Sequence, residues 1–337
     1  MESLDPIRTL IRDLPRPDNS AAALAAEREA NLTKPAGSLG RLETLAAWLC
    51  AWQGRHPPAV ERCRTAIFAG NHGITAEGVS AFPAEVTGQM VANFEGGGAA
   101  INQLCAQGRC ELKVYPVDMD RPTESFLRAP ALTDRDCADA MALGMSAAED
   151  GLHMLCLGEM GIGNTSAAAA ICHGLFGGKA EDWVGPGTGV SGSALDTKIR
   201  VVRDAVALHK DSLRDGLEVL RHVGGREIAA IAGAIIAARQ RRIPVILDGY
   251  VCCAAAATLH AMDETALDHC LVGHVSAEPG HRRLLEAINQ APLLDLNMRL
   301  GEGSGAALAL QIVQSAAACH NGMATFGQAG VSDKGES

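Results

Sequence analysis

At 337 residues, with 47% hydrophobic but only 3% aromatic side chains, the chain exceeds what one core ordinarily serves and must build its interior from Ala, Val, Ile and Leu. A formal net charge of −10 argues against a broad nucleic-acid surface and directs attention to a small-molecule ligand. Eleven cysteines without a C-x-x-C pair, no basic-then-apolar pattern in Met1-Glu2-Ser3-Leu4-Asp5-Pro6, and no apolar run of membrane-spanning length set the expectation of a cytoplasmic protein with buried thiols.

In chain order, Ala21 to Gln53 reads as helical, interrupted by the Pro- and Gly-marked loop Thr33 to Gly40. Short apolar runs then alternate with longer helical patterns. Strands are predicted at Arg64–Ala69, Leu112–Val117, Leu152–Leu157, Val245–Leu247 and Cys270–Val272. Helices are predicted near Pro83–Phe94, Thr133–Asp150, Thr165–Leu175, Ala194–Leu213, Arg226–Arg239, Pro279–Asn289 and Ala306–Ala318. Such alternation predicts an α/β fold, a doubly wound, Rossmann-like and mainly parallel sheet with helices on both faces. Residues 60–300 form its large catalytic domain in this reading, and residues 1–59 with 301–337 a small helical lobe.

In such sheets ligands lie at the carboxyl ends of strands, and there the glycines gather: Gly70-Asn71-His72-Gly73, Gly158 to Thr165, and Asp248-Gly249. Gly158-Glu159-Met160-Gly161-Ile162-Gly163-Asn164-Thr165-Ser166 follows a strand and opens a helix, the setting in which backbone N–H groups bind phosphate. It is neither a Walker A loop, lacking a Lys before Thr165, nor a clean G-x-G-x-x-G. Gly185-Pro186-Gly187-Thr188-Gly189 is a second glycine loop. Lys198 on the helix after it either reaches a phosphate or ribose or stands as a solvated surface group.

The third glycine loop, Leu300-Gly301-Glu302-Gly303-Ser304-Gly305, sets one carboxylate just ahead of an apolar helix. Glu302 either serves chemistry or merely complements the helix dipole. Amides of the glycine turn and helix N-terminus would lower its pKa, whereas burial beside a substrate would raise it. His274 and His281 match no H-E-x-x-H spacing and there is no G-x-S-x-G elbow, so neither a metal site nor a serine nucleophile is expected. Three glycine loops with few acid and base groups suggest a nucleotide monophosphate substrate and glycosyl or phosphoryl chemistry. A Rossmann-type oxidoreductase and a non-catalytic nucleotide sensor remain rival readings. The first lacks an acidic residue to hold the ribose of a dinucleotide.

These motifs resemble those of the nicotinate-nucleotide:dimethylbenzimidazole phosphoribosyltransferases of cobalamin biosynthesis. The resemblance rests on Lys34-Pro35 with Gly37 to Glu43, Ala69 to Ile74, Glu85-Val86-Thr87, Gly96 to Asn102, Gly158 to Thr165, Gly187-Thr188-Gly189, Asp248-Gly249, Ser276 to His281 and Arg299 to Gly305. It implies transfer of phosphoribose from nicotinate mononucleotide to dimethylbenzimidazole, without cofactor or metal, by a homodimer. Glu302 takes the place of the family's general base, Glu159 of its second acidic residue and Lys198 of its nucleotide-contacting lysine. Phe82, Met90, Met160 and Leu300 would line the pocket for the aromatic base, with benzimidazole or adenine as alternative acceptors. Gly161, Gly163, Asn164, Gly187, Thr188 and Ser276 would lie near the phosphoribosyl group. Pro186 stands where a basic residue is expected.

Overall fold

The computed structural model describes residues 3–332, so the outermost ends of the expected small lobe, 1–2 and 333–337, lie outside the described residues. The chain opens with α1 (Asp5–Arg12), α2 (Asn19–Asn31) and α3 (Arg41–Gln53). Asp18 starts α2 by accepting from the amides of Ser20 and Ala21 at 2.9 and 3.1 Å, which satisfies donors a helix start leaves free. Next come β1 (Cys63–Ala69), α4 (Val86–Glu95), α5 (Ala100–Gln107), β2 (Glu111–Pro116), α6 (Asp134–Met145) and β3 (Met154–Met160). The remainder runs through α7 (Asn164–Phe176), α8 (Ser193–His209), α9 (Gly216–Val223), α10 (Arg226–Gln240), β4 (Val245–Leu247), α11 (Tyr250–His260), β5 (Cys270–His274), α12 (Pro279–Ala287), β6 (Pro292–Leu294), α13 (Ser304–Gly322) and α14 (Phe326–Ala329).

All five strand pairings are parallel, in the order β2-β1-β3-β4-β5-β6. The five predicted strands are present, and the sheet is doubly wound. From β1 the chain adds β2 on one side and β3 on the other, so strand order reverses between β1 and β3, where such sheets open a crevice for ligand. Alternate residues serve opposite faces. Ala66, Phe68, Leu155, Leu157, Val245 and Leu247 join the core under α6, α7, α10 and α11. Ile67, Ala69, Met154, Cys156 and Ile246 join a second core under α5 and α13.

Five helices and one strand had no counterpart in the sequence reading, among them α14, whose four residues hold no period. Helix α11 (YVCCAAAATLH) is apolar on every side and buried through Leu259, so it carries no 3.6-residue period to read. Helices α1, α5 and α9 are only eight residues each and β6 three, too short for a period to stand out. Helix α1 also packs away from α2 and α3: Leu4, Ile7 and Ile11 belong to the large core, and Arg8 pairs with Asp215 and Glu218 at 3.1 and 3.0 Å.

Candidate active site

A cavity of about 260 Å³ opens at the carboxyl ends of β3, β4 and β5, beside the point where strand order reverses. Its floor and walls come from the end of β3 and its turn into α7, the stretch after β4, the segment after β5 and the Arg299–Glu302 turn. Phe82 and the Gly187-Thr188 loop complete it.

Gly301, Glu302 and Gly303 have φ of +78°, +61° and +74°. Three successive left-handed residues reverse the chain ahead of α13, and only the glycines do so without steric cost. Holding Glu302 there costs on the order of 1–3 kcal/mol, a kind of strain that gathers at functional sites. The turn sits on β3 itself: a Cβ on Gly158 would lie 2.4 Å from the Gly303 nitrogen.

The α13 amides do not reach Glu302. Asp248, at the end of β4, accepts from Gly303 N at 3.1 Å, Gly305 N at 2.7 Å and Ala306 N at 3.0 Å. It thereby caps the helix that Glu302 precedes. Left with burial and, next, the nearby Asp248 charge, the Glu302 carboxyl, 8% exposed, is pushed up to about 7. Of the two opposed influences weighed from the sequence, burial prevails because another carboxylate has taken the amides.

Glu159, the penultimate residue of β3, is buried and receives the Asn164 side-chain amide on Oε2. Burial above all, then the charges of Asp248 and Glu227, pushes its carboxyl up to about 8 against the pull of Asn164. Glu227 lies behind Gly161, bonded to His72 Nε2 at 2.5 Å, and both side chains are fully buried. A Cβ on Gly161 would come 3.0 Å from Glu227 Oε1 and 2.8 Å from Gly70 O, so glycine lets the cavity wall pass close to this pair.

The loop before α8 is held from three sides. Gly187 N donates to Glu278 Oε1 at 2.9 Å, Arg299 Nη1 donates to Gly187 O at 3.0 Å, and Lys198 Nζ donates to Thr165 Oγ1 at 2.9 Å and Gly185 O at 3.0 Å. Glu159, Phe82, Met160, Gly161, Asn164, Gly187, Thr188, Ser276, Leu300 and Glu302 all line the cavity.

Three expected residues do not. Lys198 is buried beneath the loop, and burial lowers its ammonium to about 8 against the pull of Glu278. It is neither a solvated surface group nor a wall of the cavity. Met90, on α4, is half-buried against the second core. Gly163 caps α7 at φ +96°, and the side chains of Thr75, His72 and Ile74 lie closest to it.

The sequence reading assigned no role to Arg299, Thr165, Tyr250, His274 or Glu278, all of which line the cavity, or to Asp248. Arg299 brings a guanidinium to the loop that holds Pro186, donating to Gly187 O. For Asp248 a signal existed, an acidic residue directly after a wholly buried strand. Its partners lie 55 to 58 residues further on and are invisible to local pattern. His281, considered above for a metal, instead accepts from Ser276 N at 2.7 Å, and burial lowers it to about 3.

A phosphoribosyltransferase family model matches residues 14–331. The nicotinate-nucleotide–dimethylbenzimidazole phosphoribosyltransferase of Sinorhizobium medicae (strain WSM419) is 61% identical over 330 residues, 98% of this chain and 97% of that one. The protein of the same name from Brucella anthropi is 59% identical over 328 residues, covering 97% of each. The crystal structure of CobT from Thermus thermophilus superposes with a TM-score of 0.88 at 41% identity, over 94% of this chain and all of that one. Because the matched stretch takes in every residue that lines the cavity, fold, site and sequence converge: the chain belongs to the nicotinate-nucleotide–dimethylbenzimidazole phosphoribosyltransferase family.

Proposed function

We infer that Glu302 is the general base of a transfer of phosphoribose from nicotinate mononucleotide to dimethylbenzimidazole, which yields α-ribazole 5′-phosphate and nicotinate. One observation carries this role: a cavity carboxyl poised at about 7, close to the operating pH at which a general base works best. In the reaction one benzimidazole nitrogen attacks the anomeric carbon while the bond to the pyridinium nitrogen breaks. The bonding pair stays on nicotinate, whose nitrogen becomes neutral and needs no acid. The proton on the other benzimidazole nitrogen passes to Glu302. Attack opposite the departing ring inverts the anomeric centre.

Glu159 is assigned to the reacting sugar and base as a neutral carboxylic acid at pH 7, consistent with its position near 8. Phe82, Met160 and Leu300 are assigned to the aromatic base. Gly161, Asn164, Thr165, Gly187, Thr188 and Ser276 are assigned to the phosphoribosyl group, with Arg299 as its cation. Lys198 acts through Thr165 and Gly185, which it holds in place.

Purified protein given both substrates should release nicotinate, followed by chromatography, and release it only when the base is present. Release without base, or none with it, overturns this reading.

A homodimer is the assembly we propose, on the strength of the resemblance and of Phe82 and Leu300, which stand 50% and 55% exposed at the cavity. Residues 60–300 are assigned to the catalytic domain. A smaller lobe is assigned to α2, α3 and the distal part of α13, which pack on one another. A cytoplasmic setting suits eleven unpaired cysteines, ten of them buried.

A further inference from the structure

We propose that His274 is a substrate-binding residue whose Nε2 accepts a hydrogen bond from a ribose hydroxyl of the nucleotide, an assignment that rests on the transferase reading above. His274 ends β5, is 1% exposed and lines the cavity. Its Nδ1 lies 3.1 Å from the Val275 carbonyl oxygen. A carbonyl only accepts, so Nδ1 carries a proton, and in the neutral form of the ring that leaves a lone pair on Nε2.

That nitrogen has no hydrogen-bond partner. Asp248 Oδ1, at 3.7 Å, is beyond hydrogen-bond reach and already accepts from Gly305 N and Ala306 N. The ring cannot turn away to find another partner. A Cβ on Gly305 would lie 1.9 Å from its Cδ2, and one on Gly249 3.0 Å from Nε2, so the imidazole is clamped between two backbone segments. A buried, fixed and unpaired acceptor is unfavourable, and a donor supplied by the substrate removes that cost.

The cavity's polarity selects the donor. Phe82 and Leu300, assigned above to the aromatic base, stand half-exposed, whereas His274 lies deep beside Ser276, 7% exposed, and the Gly249 backbone. The sugar belongs at that deep polar end, and a sugar hydroxyl is its available donor. Glu302 takes the proton of the attacking base, so His274 need take none.

Nicotinate mononucleotide and its 2′-deoxy and 3′-deoxy analogues, compared on the parent and on His274→Phe, separate this from a packing role. In the parent, loss of one of the two hydroxyls should lower kcat/KM roughly 5- to 150-fold. His274→Phe should show a comparable loss with the full substrate and no further loss with that analogue. Equal penalties in parent and variant overturn the proposal, and so does a parent indifferent to both hydroxyls, which would leave only a bound water on Nε2. Should His274→Phe not fold, 15N-labelled histidine in the parent decides: the His274 Nε2 resonance should move with nicotinate mononucleotide and not with the penalised analogue, and no movement overturns it. Failure of the transferase reading itself would look different, as absence of turnover by the parent with every nucleotide.

Discussion

The chemistry of the site turns on which carboxylate receives the α13 amides. Asp248 takes them and Glu302 is left with burial. Glu302→Gln should lower kcat by on the order of 10² to 10⁴ while nucleotide binding, followed by calorimetry, changes little. In the parent, kcat/KM should rise with pH through about 7 as Glu302 loses its proton. Interaction with Glu159 makes that midpoint a property of the pair. A profile flat from pH 5 to 8 would remove Glu302 as the base. Glu159 gives a stability test. Its folded-state value near 8 lies above the ordinary carboxylate range, so the native state holds a proton that the unfolded chain has released. This contribution is fully present below about 4.5 and lost as pH rises to about 8. Glu159→Gln should therefore melt above the parent at pH 8.5, by a margin that vanishes near pH 4.5 in paired thermal melts. Glu302 stood out in the sequence between two glycines and Glu159 entered through the family resemblance, but their order of ionisation was not legible, because it depends on Asp248 and Glu227, distant along the chain.

At the scale of elements, backbone approaches that only glycine permits decide where the site residues stand. Gly158 lets the Glu302–Gly303 turn rest on β3, and a Cβ there would meet backbone at 2.4 to 2.9 Å. Gly233 does the same for α10 against α6, where a Cβ would lie 2.0 Å from Met141 O. Gly158→Ala and Gly233→Ala should each destabilise by about 1–3 kcal/mol, the cost of overpacking. Only Gly158→Ala should also depress kcat, because it displaces Glu302. Thermal melts paired with steady-state kinetics check both, and unchanged kcat in Gly158→Ala would mean that the turn adjusts freely. Strands with clear apolar runs were readable in advance, as were helices with a polar face. Helix α11 was not, since burial on all sides erases its period, and β6 was not, since three residues hold no pattern.

For the whole molecule, α2 near the start of the chain is tied to the end of α13. Arg28 on α2 donates to the carbonyls of His320, Asn321 and Met323 at 2.6, 3.1 and 2.9 Å. Lys34 pairs with Glu29 and Glu43 at 3.0 and 2.8 Å. Arg28→Ala should loosen that contact, seen as faster amide exchange in α2 and around residues 320–323, while the sheet keeps its protection. Light scattering on the intact protein should give twice the 35.0 kDa of one chain, and the single-chain mass would refute the dimer. The sequence by itself determined the α/β class, five of the six strands, the glycine loops and Glu302 as the residue to watch, because period, turn chemistry and motif are local properties. Tertiary structure alone decided that Asp248 caps α13, that Lys198 lies beneath the loop and Arg299 in the cavity, and that α1 joins the large core. Burial and proximity between residues tens to hundreds of positions apart exist only once the chain has closed on itself.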